Sequence, residues 1–160
     1  MKQEVINKDC LEYMKELPDN YFDLIITDPP YGIDVCKGGT VGGGKLAKVK
    51  NYGKCDWDNS IPSKEVFEEM LRVSKNQIIW GGNYFADYLP ASQGWLVWNK
   101  GQRGFSLADG EMAWTSFDRA MRIFDYPRGV FLADESRCHP YASVRYLERR
   151  ELFQVDRVTC

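Results

Sequence analysis

The chain has 160 residues, 44% of them apolar and 28% charged, which is room for one domain with one sizeable core. That length excludes a two-domain enzyme, and the ordinary composition excludes a disordered or bilayer-embedded chain. A net charge of −2 excludes a general polyanion binder, so any affinity for phosphates has to reside in a local basic segment. No apolar run approaches a membrane span, and residues 1–5 lack the apolar stretch of a secretion signal; the expected location is the cytoplasm, with no membrane partner. Five cysteines at irregular spacing, without a C-x-x-C pair, and the single histidine His139 predict neither a disulfide framework nor a metal site. Chemistry is therefore sought among carboxylates and backbone groups, with His139 read as a structural turn residue.

In chain order, residues 5–8 read as a short strand. Asp9 with Glu12 forms an acidic capping box for a helix whose Leu11, Met14 and Leu17 recur at helical spacing until Pro18-Asp19-Asn20. Residues 22–27 are a nearly continuous apolar run, the pattern of a buried parallel strand. It stops at Asp28-Pro29-Pro30-Tyr31, because prolines cannot donate to a sheet ladder. Residues 34–60 are loop-like: Gly38, Gly39, Gly42, Gly43, Gly44 and Gly53 alternate with Lys37, Lys45, Lys48, Lys50 and Lys54, near Tyr52 and Trp57. Ser63 caps a helix carrying Val66, Phe67, Met70, Leu71 and Val73, and a strand follows over 77–80 until Gly81-Gly82-Asn83 breaks it. A short aromatic helix ends at Pro90; strands follow over 94–99, 111–117 and 119–124, and residues 142–155 read as an amphipathic terminal helix. Strands alternating with helices predict a three-layer α/β fold with a mostly parallel sheet.

Ligands of open α/β sheets bind beyond the carboxyl ends of strands, which is where residues 28–31 fall. Pro29 and Pro30 fix their own φ and restrict the residues before them, so the Asp28 carboxylate, the Pro29 carbonyl and the Tyr31 ring are preorganised. Methylating the exocyclic amine of a base meets a specific difficulty: the nitrogen lone pair is delocalised into the ring. Two acceptors, Asp28 and the Pro29 carbonyl, would each take one N–H and draw the nitrogen toward tetrahedral geometry, while Tyr31 offers a face for a flipped-out base.

These residues resemble the Asp-Pro-Pro-Tyr motif of the amino-methylating, mostly adenine-specific DNA methyltransferases. The resemblance extends over roughly residues 4–140. It includes Asn7-Lys8-Asp9-Cys10-Leu11, Phe22-Asp23-Leu24-Ile25-Ile26-Thr27, Ile79-Trp80-Gly81-Gly82-Asn83-Tyr84-Phe85, Gly94-Trp95-Leu96-Val97-Trp98-Asn99-Lys100 and the run from Ala108 to Phe117, which is similar to phage-type members. It implies a partial Rossmann-like methyltransferase domain, DNA as partner, S-adenosylmethionine as cofactor, and cofactor contacts from Asp9, Asp28 and Pro30. It also implies that residues 1–140 form a catalytic, target-base half and 141–160 a divergent terminal helix.

Lys37, Lys45, Lys48, Lys50 and Lys54 are expected to neutralise DNA phosphates, against the plainer reading of a solvated insertion. Within that segment Gly39-Thr40-Val41-Gly42-Gly43-Gly44-Lys45 approaches a P-loop, but Leu46 stands where Ser or Thr should meet magnesium. Members of the family continue past His-Pro into a Gln-Lys-Pro segment and a glycine-rich cofactor loop. Here Tyr141-Ala142-Ser143 follows His139-Pro140, and no glycine lies between Val130 and Cys160 or before Gly32. The expectation is a chain that lacks the cofactor half, is weak or inactive alone, and associates with itself or a second chain through an exposed sheet edge. A non-catalytic nucleic-acid-binding or assembly module is the competing class.

Overall fold

The computed structural model describes residues 5–34, 40–41, 50–51, 58–104 and 108–127. The expected terminal helix, His139 and most of the basic segment lie outside them. The chain divides into two compact units, Met1–Asp28 with Ser63–Cys160, and Pro29–Pro62.

The first unit begins with helix α1 (Cys10–Lys15), whose N-cap is Asp9 as expected: its Oδ1 accepts from the N–H groups of Leu11 and Glu12 at 3.0 and 3.1 Å. The expected strand over 5–8 is not formed. Val5 and Ile6 are exposed, and without a partner strand an apolar pair has nothing to bury itself against. Strand β1 (Ile25–Thr27) occupies only the end of the apolar run, with Phe22 bridged singly to Ser74. In the second unit β2 (Thr40–Val41) and β3 (Lys50–Asn51) pair antiparallel inside the segment expected to be loop.

Helix α2 (Lys64–Val73) buries Val66, Phe67, Met70 and Val73, one stripe at helical spacing; Ser63 is its N-cap position but supplies no side-chain cap. Then come β4 (Gln77–Trp80), a single 3₁₀ turn (Gly82–Tyr84) in place of the expected helix, β5 (Trp95–Asn99), β6 (Gly110–Thr115) and β7 (Arg122–Asp125). Phe67 packs on Phe85 and Tyr88, with ring centroids 4.8 and 5.7 Å apart.

The strands of the first unit form one five-stranded sheet in the order β1-β4-β6-β5-β7. β1 and β4 are parallel, β6 runs antiparallel to both β4 and β5, and β5 and β7 are parallel. The sheet is thus mixed, correcting the expectation of a mostly parallel one. The reason is the connection after β5: residues 100–109 are too few for the crossover that a parallel return requires, so the chain turns back as a hairpin and β6 slots in beside β4. The α/β class itself stands, as a five-stranded mixed sheet with helices.

One face of this sheet carries a buried apolar cluster, while Ile25, Ile79 and Trp114 are buried on the other face. Leu24, Ile26, Ile78, Trp80, Leu96, Trp98 and Ala113 form a buried cluster, flanked by Phe117, Phe124 and Tyr126. Ala113 lies between Trp80 and Leu96 in register, and its small side chain leaves room for the indole. Buried indoles need a partner for N–H. Trp98 Nε1 donates to the Tyr126 carbonyl at 2.7 Å and Trp114 Nε1 to the Pro90 carbonyl at 2.9 Å.

Arg72 joins the two helices. Its guanidinium donates to the Met14 and Leu17 carbonyls at the end of α1, both at 2.9 Å, and pairs with Glu69 at 2.7 Å and Asp19 at 2.8 Å. The hydrogen bond from Arg72 holds the Glu69 carboxyl below its ordinary value of 4.5, against the opposing effect of burial. A depressed folded value means that this contribution to stability is complete above the ordinary carboxylate range and fades as pH falls through the lower folded value. Arg72→Met should therefore lower Tm by several degrees at neutral pH and by progressively less below pH 4.5, the ordinary carboxyl value. Thermal melts across pH 2–7 check this; a Tm difference independent of pH contradicts it.

Candidate functional site

β1, β4, β5 and β7 run in one direction and β6 in the other. The carboxyl ends of four strands and the start of β6 therefore share one edge of the sheet. Asp28 is the residue immediately past β1. With Thr27 paired to Ile79, Asp28 is level with Trp80 at the end of β4. The parallel pairing of Ile25, Ile26 and Thr27 with Gln77, Ile78 and Ile79 holds it there, and the proline after Asp28 ends the ladder. Asp28 itself is exposed.

Pro29, Pro30 and Tyr31 open the second unit, so the tetrapeptide spans the junction of the two units. In that unit the backbone beyond Tyr31 is in the left-handed region at Gly32, φ +68°, and is tied to Asp58. Asp58 is buried. Sequence reasoning missed it: Asp56 and Asp58 both follow the lysine-rich stretch, and nothing in the sequence separates them.

A second polar group missed by sequence stands at the same sheet edge as Asp28. Lys100, just past β5, pairs with Glu111 near the start of β6, and its ammonium lies 5.0 Å from the centroid of the Trp98 ring. Beside it Asn99 Nδ2 donates to Asp125 Oδ1 at 2.6 Å, tying β5 to β7. Three strand spacings separate β5 from β1, about 14 Å, so these groups stiffen the far end of the edge rather than face Asp28 directly.

Asp9 is exposed, and its Oδ1 is engaged as the α1 cap. Of the expected DNA-contacting lysines, Lys50 lies on β3, while Lys37, Lys45, Lys48 and Lys54 fall outside the described residues. Among the described residues no three His, Cys, Asp or Glu side chains gather in a way that could hold a metal ion, and no helix is long and apolar enough to cross a membrane.

S-adenosylmethionine, the cofactor implied by the resemblance, requires backbone N–H groups open to its carboxylate. The glycines at the end of β4 are occupied otherwise. Gly81 N–H donates to the Met112 carbonyl at 2.9 Å, and a Cβ on Gly82 would lie 2.5 Å from Trp114 Cβ, so that glycine serves close packing on β6. Among the described residues, then, the Gly81 N–H is not open to the cofactor's carboxylate and Gly82 is held against β6.

Compared with known proteins, the chain matches no family model and no curated protein.

Proposed function

We propose that this chain is the base-handling part of a DNA methyltransferase of Rossmann-like type, acting in the cytoplasm on an exocyclic amine, adenine by resemblance, with S-adenosylmethionine as methyl donor. The observation that carries the proposal is the position of Asp28 at the carboxyl end of β1, level with the end of β4 and followed by two prolines. In this reading the Asp28 carboxylate and the Pro29 carbonyl each accept one N–H of the target amine. The nitrogen lone pair, withdrawn from the ring, then points toward the donor. Tyr31 stacks on the extruded base, with Pro30 and Asp9 on the cofactor side. Calorimetric titration with S-adenosylmethionine, followed by a radiolabel transfer assay on mixed-sequence DNA, tests the reading; absence of transfer by the chain and by every complex containing it refutes the enzyme.

The lysines at 37, 45, 48, 50 and 54 supply sequence-independent affinity in this proposal. Replacing Lys45, Lys48 and Lys50 with Gln should flatten the plot of log affinity against log salt by about one unit of slope for each phosphate no longer neutralised. An unchanged slope assigns the segment to solvent.

The second reading, a non-catalytic nucleic-acid-binding or assembly module, is favoured by a row of apolar side chains across β6, β5 and β7. Met112 and Ile123 pair in register with Val97, and both are exposed on the sheet. Salt-dependent DNA binding without methyl transfer selects this reading.

A further inference from the structure

We propose that Asp58 is a positioning residue for the Tyr31 ring, an inference that rests on the base-handling function above. Within Pro29–Pro62, Asp58 is 3% exposed, and its Oδ1 accepts the N–H of Gly32, 26 residues earlier in the chain, at 2.9 Å. Its backbone carbonyl accepts the N–H of Asp34, also at 2.9 Å. A buried carboxylate has a large desolvation cost unless it is hydrogen-bonded, and an amide donating to an ionised acceptor is among the stronger hydrogen bonds in a protein. Asp58 therefore holds the Gly32 turn rather than merely touching it.

Gly32 is the residue directly after Tyr31. Its φ of +68° disfavours any side chain, and a Cβ there would lie 3.0 Å from Ile61 N and 3.2 Å from the Ser60 carbonyl carbon. The turn is thus pinned by Asp58 and closed over by residues 60 and 61. On the other side of Tyr31, the rings of Pro29 and Pro30 fix two successive φ angles. The Tyr31 Cα is bracketed from both directions. Orienting an aromatic face for a flipped base requires that bracket, because a ring free to swing gives up much of its stacking energy as entropy.

The same two hydrogen bonds tie the residues on either side of segment 35–57, which carries Lys37, Lys45, Lys48, Lys50 and Lys54. Asp58 is accordingly the residue at which that segment rejoins the turn beside Tyr31.

The test uses the full chain and a short single-stranded oligonucleotide of mixed sequence carrying 2-aminopurine, whose fluorescence is quenched on stacking. Tyr31→Ala should weaken binding about tenfold or more and relieve the quenching. Asp58→Ala should reproduce most of that loss and accelerate amide exchange at Gly32. Asp58→Asn keeps a side-chain oxygen in the same place but loses the charge, so its affinity should lie between the parent and Asp58→Ala. Parent-like binding by Asp58→Ala overturns the proposal. So does Asp58→Asn binding as weakly as Tyr31→Ala, a comparison that decides even where the alanine variant fails to fold. An unaffected Tyr31→Ala overturns the base-stacking role itself, and the positioning role with it.

Discussion

Asp28→Ala should reduce methyl transfer, whether by this chain or by a complex containing it, by about 10²–10⁴-fold, the range found when a positioned acceptor or proton-handling group is removed from a reacting centre. Without the carboxylate only the Pro29 carbonyl is left to accept an N–H, so the amine stays conjugated with its ring and is a poor nucleophile. Asp28 is exposed and lies past the last ladder position of β1, so its removal sacrifices little buried surface. The melting temperature should change by no more than the small amounts typical of exposed sites. Asp28→Asn keeps one acceptor oxygen but loses the charge, and should fall between the two. The measurement is radiolabel transfer at saturating donor, with thermal melts run in parallel. Turnover by Asp28→Ala equal to that of the parent removes Asp28 from the mechanism.

Trp80→Ala should have the largest effect on stability. The indole is completely buried in the middle of the cluster formed by Leu24, Ile26, Ile78, Leu96, Trp98 and Ala113. It meets the Phe124 ring edge to face, at a centroid separation of 6.4 Å and an interplanar angle of 80°. Truncation leaves a cavity on that face of the sheet, at a cost of about 3–5 kcal/mol. Since an ordinary domain has only about 5–15 kcal/mol of net stability, the variant should be marginal at 37 °C. Trp80→Phe should recover a large part of the loss. Because Trp80 is level with Asp28, a folded Trp80→Ala should also handle the base less well. Urea denaturation of the three proteins checks the order; a midpoint for Trp80→Ala within error of the parent contradicts the assignment of this core.

Much of the local structure was legible in the sequence because it depends on neighbours in the chain. Asp9 two and three residues before the N–H groups it accepts, the stripe Val66, Phe67, Met70 and Val73, and the proline pair that ends β1 are all decided within a few residues. The apolar pattern at 77–80 and 94–99 likewise identified β4 and β5, since strand burial follows side-chain alternation and continuous apolar runs. The candidate base-handling acid was visible for the same reason: Asp28 is the first residue after a buried run.

Partner choice over long separations was decided only by the tertiary structure. Periodicity shows that a segment is a strand without showing what lies beside it, so nothing in 110–115 marks β6 as an antiparallel strand between β4 and β5. The same limit explains the failed strand at 5–8, whose composition suits a sheet but which has no neighbour to pair with. Arg72 became a cap for a helix more than 50 residues earlier, and Asp58 a buried anchor for Gly32, through hydrogen bonds across 58 and 26 residues of sequence respectively. Neither role could be read from the sequence, because the solvation of a charge is set by the three-dimensional surroundings and not by its neighbours in the chain. The sequence alone determined which residues prefer burial, where helices begin and where the first strand stops; packing decided strand order, strand direction and which polar groups are drawn inside, since those depend on contacts that exist only once the chain has folded.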